Sequence, residues 1–135
     1  DYYETDVRPG EILTSVTIPA QPAGSGSVYL KFLPKTADDY ATVSVAAVVT
    51  PGENNICRDV KIVLGSAGTT PVHAKAAEDA LRGRALTEEN IAACAALVKD
   101  AVDPLDDFRG SADYKTEMAE VFTRRAIQQA LAKVK

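Results

Sequence analysis

Apolar side chains recur at every second position through the first half of the chain and at helical spacing through the second. The change of period falls at the small-residue run Gly65, Ser66, Ala67 and Gly68. Residues 12–18, with Ile12, Val16 and Ile18 among them, read as a strand stopped by Pro19, and a Pro-, Gly- and Ser-rich loop follows over 19–27. Val28, Leu30 and Phe32 alternate with Tyr29, Lys31 and Leu33, which predicts a second strand closed by Pro34. Residues 42–49 form a third, whose small residues Ser44, Ala46 and Ala47 suit close packing. After a turn at 51–55, residues 59–64 give a fourth, with Val60, Ile62 and Leu64 on one face.

Beyond residue 70 the pattern is helical. Residues 71–81 are Ala-rich and followed by Gly83, a good helix stop. Thr87 with Glu88 and Glu89 supplies an N-cap and an acidic first turn for a helix through about Val102, lined by Ile91, Cys94, Leu97 and Val98. Ser111 is placed to cap the longest helix, 112 to about 133, where Tyr114, Met118, Val121 and Phe122 share a side. The predicted fold is therefore α+β. An antiparallel sheet of about four strands occupies the first half, and about three helices of the second half pack on one sheet face. Residues 1–135 read as a single domain without an internal linker.

Charge narrows the choice of partners. The net charge is −4 and no cluster of Lys and Arg stands out, so a nucleic-acid partner has no electrostatic footprint. No apolar run approaches the roughly 18–20 residues of a membrane span, so membrane insertion is not expected. The acidic opening, Asp1-Tyr2-Tyr3-Glu4, has neither the form of a signal peptide nor a Met, and reads as an interior cut or a processed end. Cys57 and Cys94 lack a C-x-x-C partner, which leaves no set of four thiolates for an iron–sulfur cluster. Two buried, reduced thiols in a cytoplasmic protein are expected, with a disulfide left open.

Catalytic apparatus is missing from the pattern. The lone imidazole, His73, reads as a surface or core-rim residue just inside a helix start, and no second His is available for a triad. Neither G-x-G-x-x-G after a strand nor G-x-x-x-x-G-K-[ST] occurs. Two stretches nevertheless concentrate chemistry. One is the inter-strand loop with Lys35, Asp38, Asp39 and Tyr40, which reads either as a binding-site rim or, more simply, as a solvated turn. The other runs from Asp106 to Lys115, with Asp107, Phe108, Arg109, Gly110, Ser111 and Tyr114 between. It has the turn and cap of a helix start, and a guanidinium able to fork onto a carboxylate, a structural clasp or domain contact.

In this order and separation, the two stretches resemble the C-terminal domain of molybdenum-hydroxylase flavoprotein subunits, the family of carbon monoxide dehydrogenase and xanthine dehydrogenase. Arg8, Pro9, Glu11, Ile12, Leu13, Ile18 and Pro19 are similar to the family's R-P-x-E-I-[IL]…I-P. Lys35 with Asp39, Tyr40, Ala41 and Val43 resembles [KR]-x…D-[FWYIL]-A-x-V. Gly65, Pro71, Ala77, Glu78, Leu81 and Gly83 fit G-x-x-x-x-x-P…A-E…L-x-G. Asp107, Arg109, Gly110, Ser111, Tyr114, Lys115, Arg124 and Ala126 resemble the most specific signature, D-x-R-[GA]-S-x-x-Y-[RK]…R-[RA]-A.

The resemblance covers nearly the whole chain and implies an oxidoreductase component, catalytically inactive alone. Electrons would pass from a molybdenum cofactor in a large subunit, through [2Fe–2S] clusters in a small subunit, to FAD and then to an acceptor. FAD would be held mainly by an N-terminal FAD-binding domain absent from this chain. The present domain would cover the flavin edge with Lys35, Asp38, Asp39 and Tyr40. Asp39 is the best match to the family's Asp, and Asp38 is able to exchange with it. Asp107, Arg109, Ser111 and Tyr114 would serve as structural or domain contacts. From the residues alone, a stand-alone, non-catalytic α+β binding or dimerisation module is the alternative.

Overall fold

The computed structural model describes residues 1, 4–33 and 40–134. Four antiparallel strands, β1 (Gly26–Phe32), β2 (Val43–Pro51), β3 (Cys57–Gly65) and β4 (Val72–His73), lie side by side in chain order. Three helices follow: α1 (Lys75–Leu81), α2 (Glu88–Ala96) and α3 (Ala112–Leu131). The period-two pattern sets the register. Val28, Leu30 and Phe32 stand opposite Ala47, Val45 and Val43, while Val45, Ala47 and Val49 stand opposite Leu64, Ile62 and Val60. One continuous apolar face results, and α3 and α1 pack on it. Helix α3 lies across β1 and β2, α1 packs on β3, and α2 is held between α1 and α3.

Val43, Val45, Val49, Val60, Ile62 and Leu64 are buried, together with Leu81, Ile91, Val98 and Ile127 from the helical side. Each such side chain contributes roughly 1.5–3 kcal/mol relative to leaving it exposed. Ala119, Ala126 and Ala130 face the sheet and let α3 approach closely. The approach is tightest at Gly26, where a Cβ would stand 1.9 Å from the Ala130 carbonyl oxygen. Thr87 and Ser111 cap α2 and α3 by accepting from the backbone N–H groups of Asn90 and Tyr114.

Two elements depart from the sequence reading. Residues 12–18 form no strand. Ile12, Val16 and Ile18 are 83%, 74% and 86% exposed, and no sheet neighbour for them exists among the described residues. Alternation alone does not make a strand; a strand also needs a hydrogen-bonded neighbour, and these residues have none there. The fourth strand is instead the short β4, where Val72 and His73 pair with Leu64 and Val63. Helix α1 consequently begins at Lys75 rather than residue 71, and His73 lies in a strand.

The cause is the buried carboxylate of Glu78. Its Oε1 accepts the Ile62 N–H at 2.7 Å and meets His73 Nε2 at 2.6 Å, while Ala74 N–H donates to the Ile62 carbonyl. These bonds satisfy the outer edge of β3 and hold the chain extended until Ala74. Helix α2 also ends early, tightening into a 3₁₀ turn at Leu97–Asp100 before Asp103 N–H donates to the Ala67 carbonyl. Cys57 and Cys94 are free and buried, and burial pushes their pKa values up to about 11 and about 12. No helix among the described residues is long and apolar enough to cross a membrane.

Candidate functional site

Three connections meet at one end of the sheet. The first is the link from β1 to β2, whose stem is closed by Thr42 N–H donating to the Phe32 carbonyl at 2.8 Å. The second is the loop after β3, since Gly65 pairs with Ser44 at the start of β2. The third is the segment before α3, tied to the second by the bond from Asp103 to Ala67. A cavity of about 360 Å³ opens between them, lined by Tyr40, Thr42, Ser66, Asp107, Arg109 and Lys115 among others. Thr42 is buried, and its hydroxyl has no hydrogen-bond partner within the described structure.

The segment before α3 is shaped by its own side chains. Asp107 and Gly110 exchange reciprocal backbone hydrogen bonds at 3.1 Å, closing a tight turn. Gly110 has φ near +144°, and a Cβ there would meet the Tyr114 ring at 2.7 Å, so both backbone and packing call for glycine. Asp106 accepts the Ala112 N–H at 2.5 Å, adding a second acceptor beside Ser111 at the N-terminus of α3. Lys115 is buried and donates to the Leu105 carbonyl at 2.6 Å and to Asp107 Oδ1 at 2.8 Å.

Asp107 is the hub. Besides Lys115 it accepts the Arg109 N–H at 2.7 Å, and its Oδ2 lies 3.4 Å from the Arg109 guanidinium. Burial pushes the Asp107 pKa up, but the hydrogen bonds from Lys115 and the Arg109 backbone outweigh it and hold the carboxyl below its ordinary value. Tyr114 packs its ring 6.4 Å from that of Phe32, linking α3 to β1 beneath the same corner.

Arg109 joins the two stretches singled out in the sequence. Its guanidinium lies 5.3 Å from the Tyr40 ring centroid and 4.1 Å from that of Phe108, so it is in contact with two exposed aromatic rings. Tyr40, Asp107, Arg109, Ser111 and Tyr114 therefore gather at one corner. Lys35, Asp38 and Asp39 lie outside the described residues. Phe108 and Lys115 lie inside the stretch singled out in the sequence but were given no role of their own there, and Thr42 was not singled out as a site residue. Phe108 carried a signal, a large aromatic between two charged residues in a turn, and Lys115 stands in the family-like signature, but Thr42 is revealed only by the folding together of distant loops. Among the described residues, no group of three or more His, Cys, Asp or Glu side chains could hold a metal ion.

Comparison with known proteins supplies the family. Residues 28–130 match the family model described as the CO dehydrogenase flavoprotein C-terminal domain. The chain is 38% identical over 139 residues to the carbon monoxide dehydrogenase medium chain of Afipia carboxidovorans, covering all of this chain and 48% of that protein. It is 26% identical over 123 residues to a putative xanthine dehydrogenase FAD-binding subunit of Escherichia coli, covering 90% and 42%. The solved structure of reconstituted CO dehydrogenase from Oligotropha carboxidovorans superposes with a TM-score of 0.90 at 38% identity, over 98% of this chain and 46% of that one. The chain thus spans about half the length of the curated relatives it matches. Matched by family model, by sequence and by fold, the chain belongs to the CO dehydrogenase flavoprotein C-terminal domain family.

Proposed function

We propose that this chain forms one wall of a flavin site in the FAD-carrying medium subunit of a molybdenum hydroxylase. In that reading, residues 35–40 stand at the flavin edge. The remainder of the polypeptide grips FAD, and the partners are a molybdenum-containing large subunit and an iron–sulfur small subunit. The protein works in the cytoplasm, a reducing compartment that suits its two free thiols. Bound FAD supplies the electron-transfer chemistry between the iron–sulfur clusters and an external acceptor.

The observation that carries the reading is Tyr40, exposed at the cavity rim and backed by Arg109, in a chain of this family. The residues present fit the edge of such a group. Tyr40 offers an aromatic face, Thr42 a buried hydroxyl with bonding capacity to spare, and Arg109 a fixed cation. They do not fit the whole of it, since the sequence carries no Gly-rich phosphate cradle. The work of this chain is then to shield one side from water and to set the local field: Asp38 and Asp39 disfavour electron uptake at the flavin, and Lys35 favours it.

Titration with FAD tests the division of labour. The 135-residue chain alone should bind feebly, because one wall does not offset the association entropy of a large ligand, while the full-length subunit binds tightly. Tight binding by this chain alone would overturn the reading.

A further inference from the structure

We infer that the Thr42 hydroxyl is a binding group for the flavin ring, kept for a hydrogen bond to an acceptor atom on the ring's edge. The inference rests on the reading of this chain as one wall of a flavin site, and it names the side chain that makes the contact.

Burial and bonding disagree at Thr42. The residue is 1% exposed, yet its Oγ1 has no hydrogen-bond partner within the described structure. A hydroxyl taken out of water without a partner destabilises the fold, and most buried polar side-chain atoms are paired for that reason. Two such hydroxyls occur among the described residues. Thr123 is on the buried side of α3, in line with Ala119 and Ala126, and does not line the cavity of about 360 Å³. Thr42 does line it. Backbone bonds fix its place: the Thr42 N–H donates to the Phe32 carbonyl, and the next residue, Val43, is paired with Phe32 and buried in the core. The frame of the sheet therefore holds the hydroxyl at the cavity wall, with no bond of its own to satisfy it.

The rest of the wall decides what the hydroxyl meets. Two carboxylates and two cations line the cavity, and they offset one another. Asp106 is committed to the N-terminus of α3 through the Ala112 N–H, while Asp107 meets both Lys115 and Arg109. No net positive charge is left over for a phosphate. Tyr40 and Leu105 add aromatic and apolar surface. Such a wall suits a planar, uncharged ring with carbonyl and ring-nitrogen acceptors at its edge, which is the isoalloxazine of FAD and not its pyrophosphate.

The test uses the full-length subunit stripped of flavin, and measures FAD affinity by fluorescence titration and the melting temperature of the flavin-free form. Thr42→Val keeps the branched shape of the side chain and removes the hydroxyl. It should weaken FAD binding about three- to tenfold, the range of one neutral hydrogen bond. The flavin-free melting temperature should stay the same or rise, because an unpaired buried hydroxyl is lost. Those opposite signs separate a binding group from a structural one. Thr42→Ser retains the hydroxyl and should bind FAD within about twofold of the wild type. Thr123→Val removes the other unpaired hydroxyl and should leave FAD affinity unchanged. Unchanged affinity in Thr42→Val, a flavin-free melting temperature lowered by it, or an equal loss of affinity in Thr42→Ser or Thr123→Val would overturn the inference. Tyr40→Ala tells the two levels apart. If it weakens FAD binding and Thr42→Val does not, only the role of Thr42 fails; if neither changes binding, the flavin-wall reading fails with it.

Discussion

Replacing Lys115 by Met removes the ammonium from the centre of the α3 clasp while keeping most of its apolar stem. Two hydrogen bonds vanish, one to the Leu105 carbonyl and one to Asp107 Oδ1. Bonds from a charged donor are worth about 1.5–3 kcal/mol each. The full sum overstates the loss, since Asp107 is one-third exposed, admits water and keeps its contacts with Arg109. A destabilisation of about 2–3 kcal/mol remains, which for a chain of this size lowers Tm by about 6–15 °C. Urea denaturation of wild-type and Lys115→Met chains measures it, with an unchanged m-value showing that the unfolding transition is the same.

The pH dependence supplies a second check on the same variant. Asp107 has a depressed pKa in the folded chain, so its contribution to stability is present above its unfolded value of about 3.9 and is lost as pH falls through the folded value. Lys115 is a main source of that depression, and the gap between the two proteins should narrow as pH drops below about 4. A loss under about 1 kcal/mol at neutral pH, or a gap that widens in acid, would refute the clasp as the anchor of this corner.

Two further outcomes follow from packing. Gly26→Ala places a methyl against the backbone of Ala130 and Val134, atoms that move only if the end of α3 lifts from β1. It should cost about 2 kcal/mol or more by thermal denaturation, and a neutral result would contradict the close approach. Alkylation of the native chain at pH 8 should be at least about a hundredfold slower than for an unfolded control, because thiols with pKa near 11 and 12 hold almost no thiolate there. Rapid modification of either Cys57 or Cys94 in the folded chain would show that burial is incomplete.

The three long strands were legible because each has one face in the core, and burial writes its period directly into the sequence at 28–33, 42–49 and 59–64. The helices were legible from their caps, Thr87 and Ser111. What failed depended on contacts between distant residues. Residues 12–18 have strand composition but pair with no strand among the described residues. Val72 and His73 look helical until the Glu78 carboxylate, reaching back to Ile62, is seen to hold them against β3. The same limit applied to the site. Tyr40 and Arg109 each stood out within its own stretch, yet nothing local to either one signals that the ring rests on the guanidinium.

The central claim, that residues 35–40 border a flavin, is tested most directly by the midpoint potential of the full-length subunit carrying Asp38→Ala/Asp39→Ala. Removing two carboxylates beside an electron-accepting ring should raise the potential and alter FAD occupancy, more strongly at low ionic strength than at high. An unchanged potential with unchanged occupancy would place the loop away from the flavin and contradict the account.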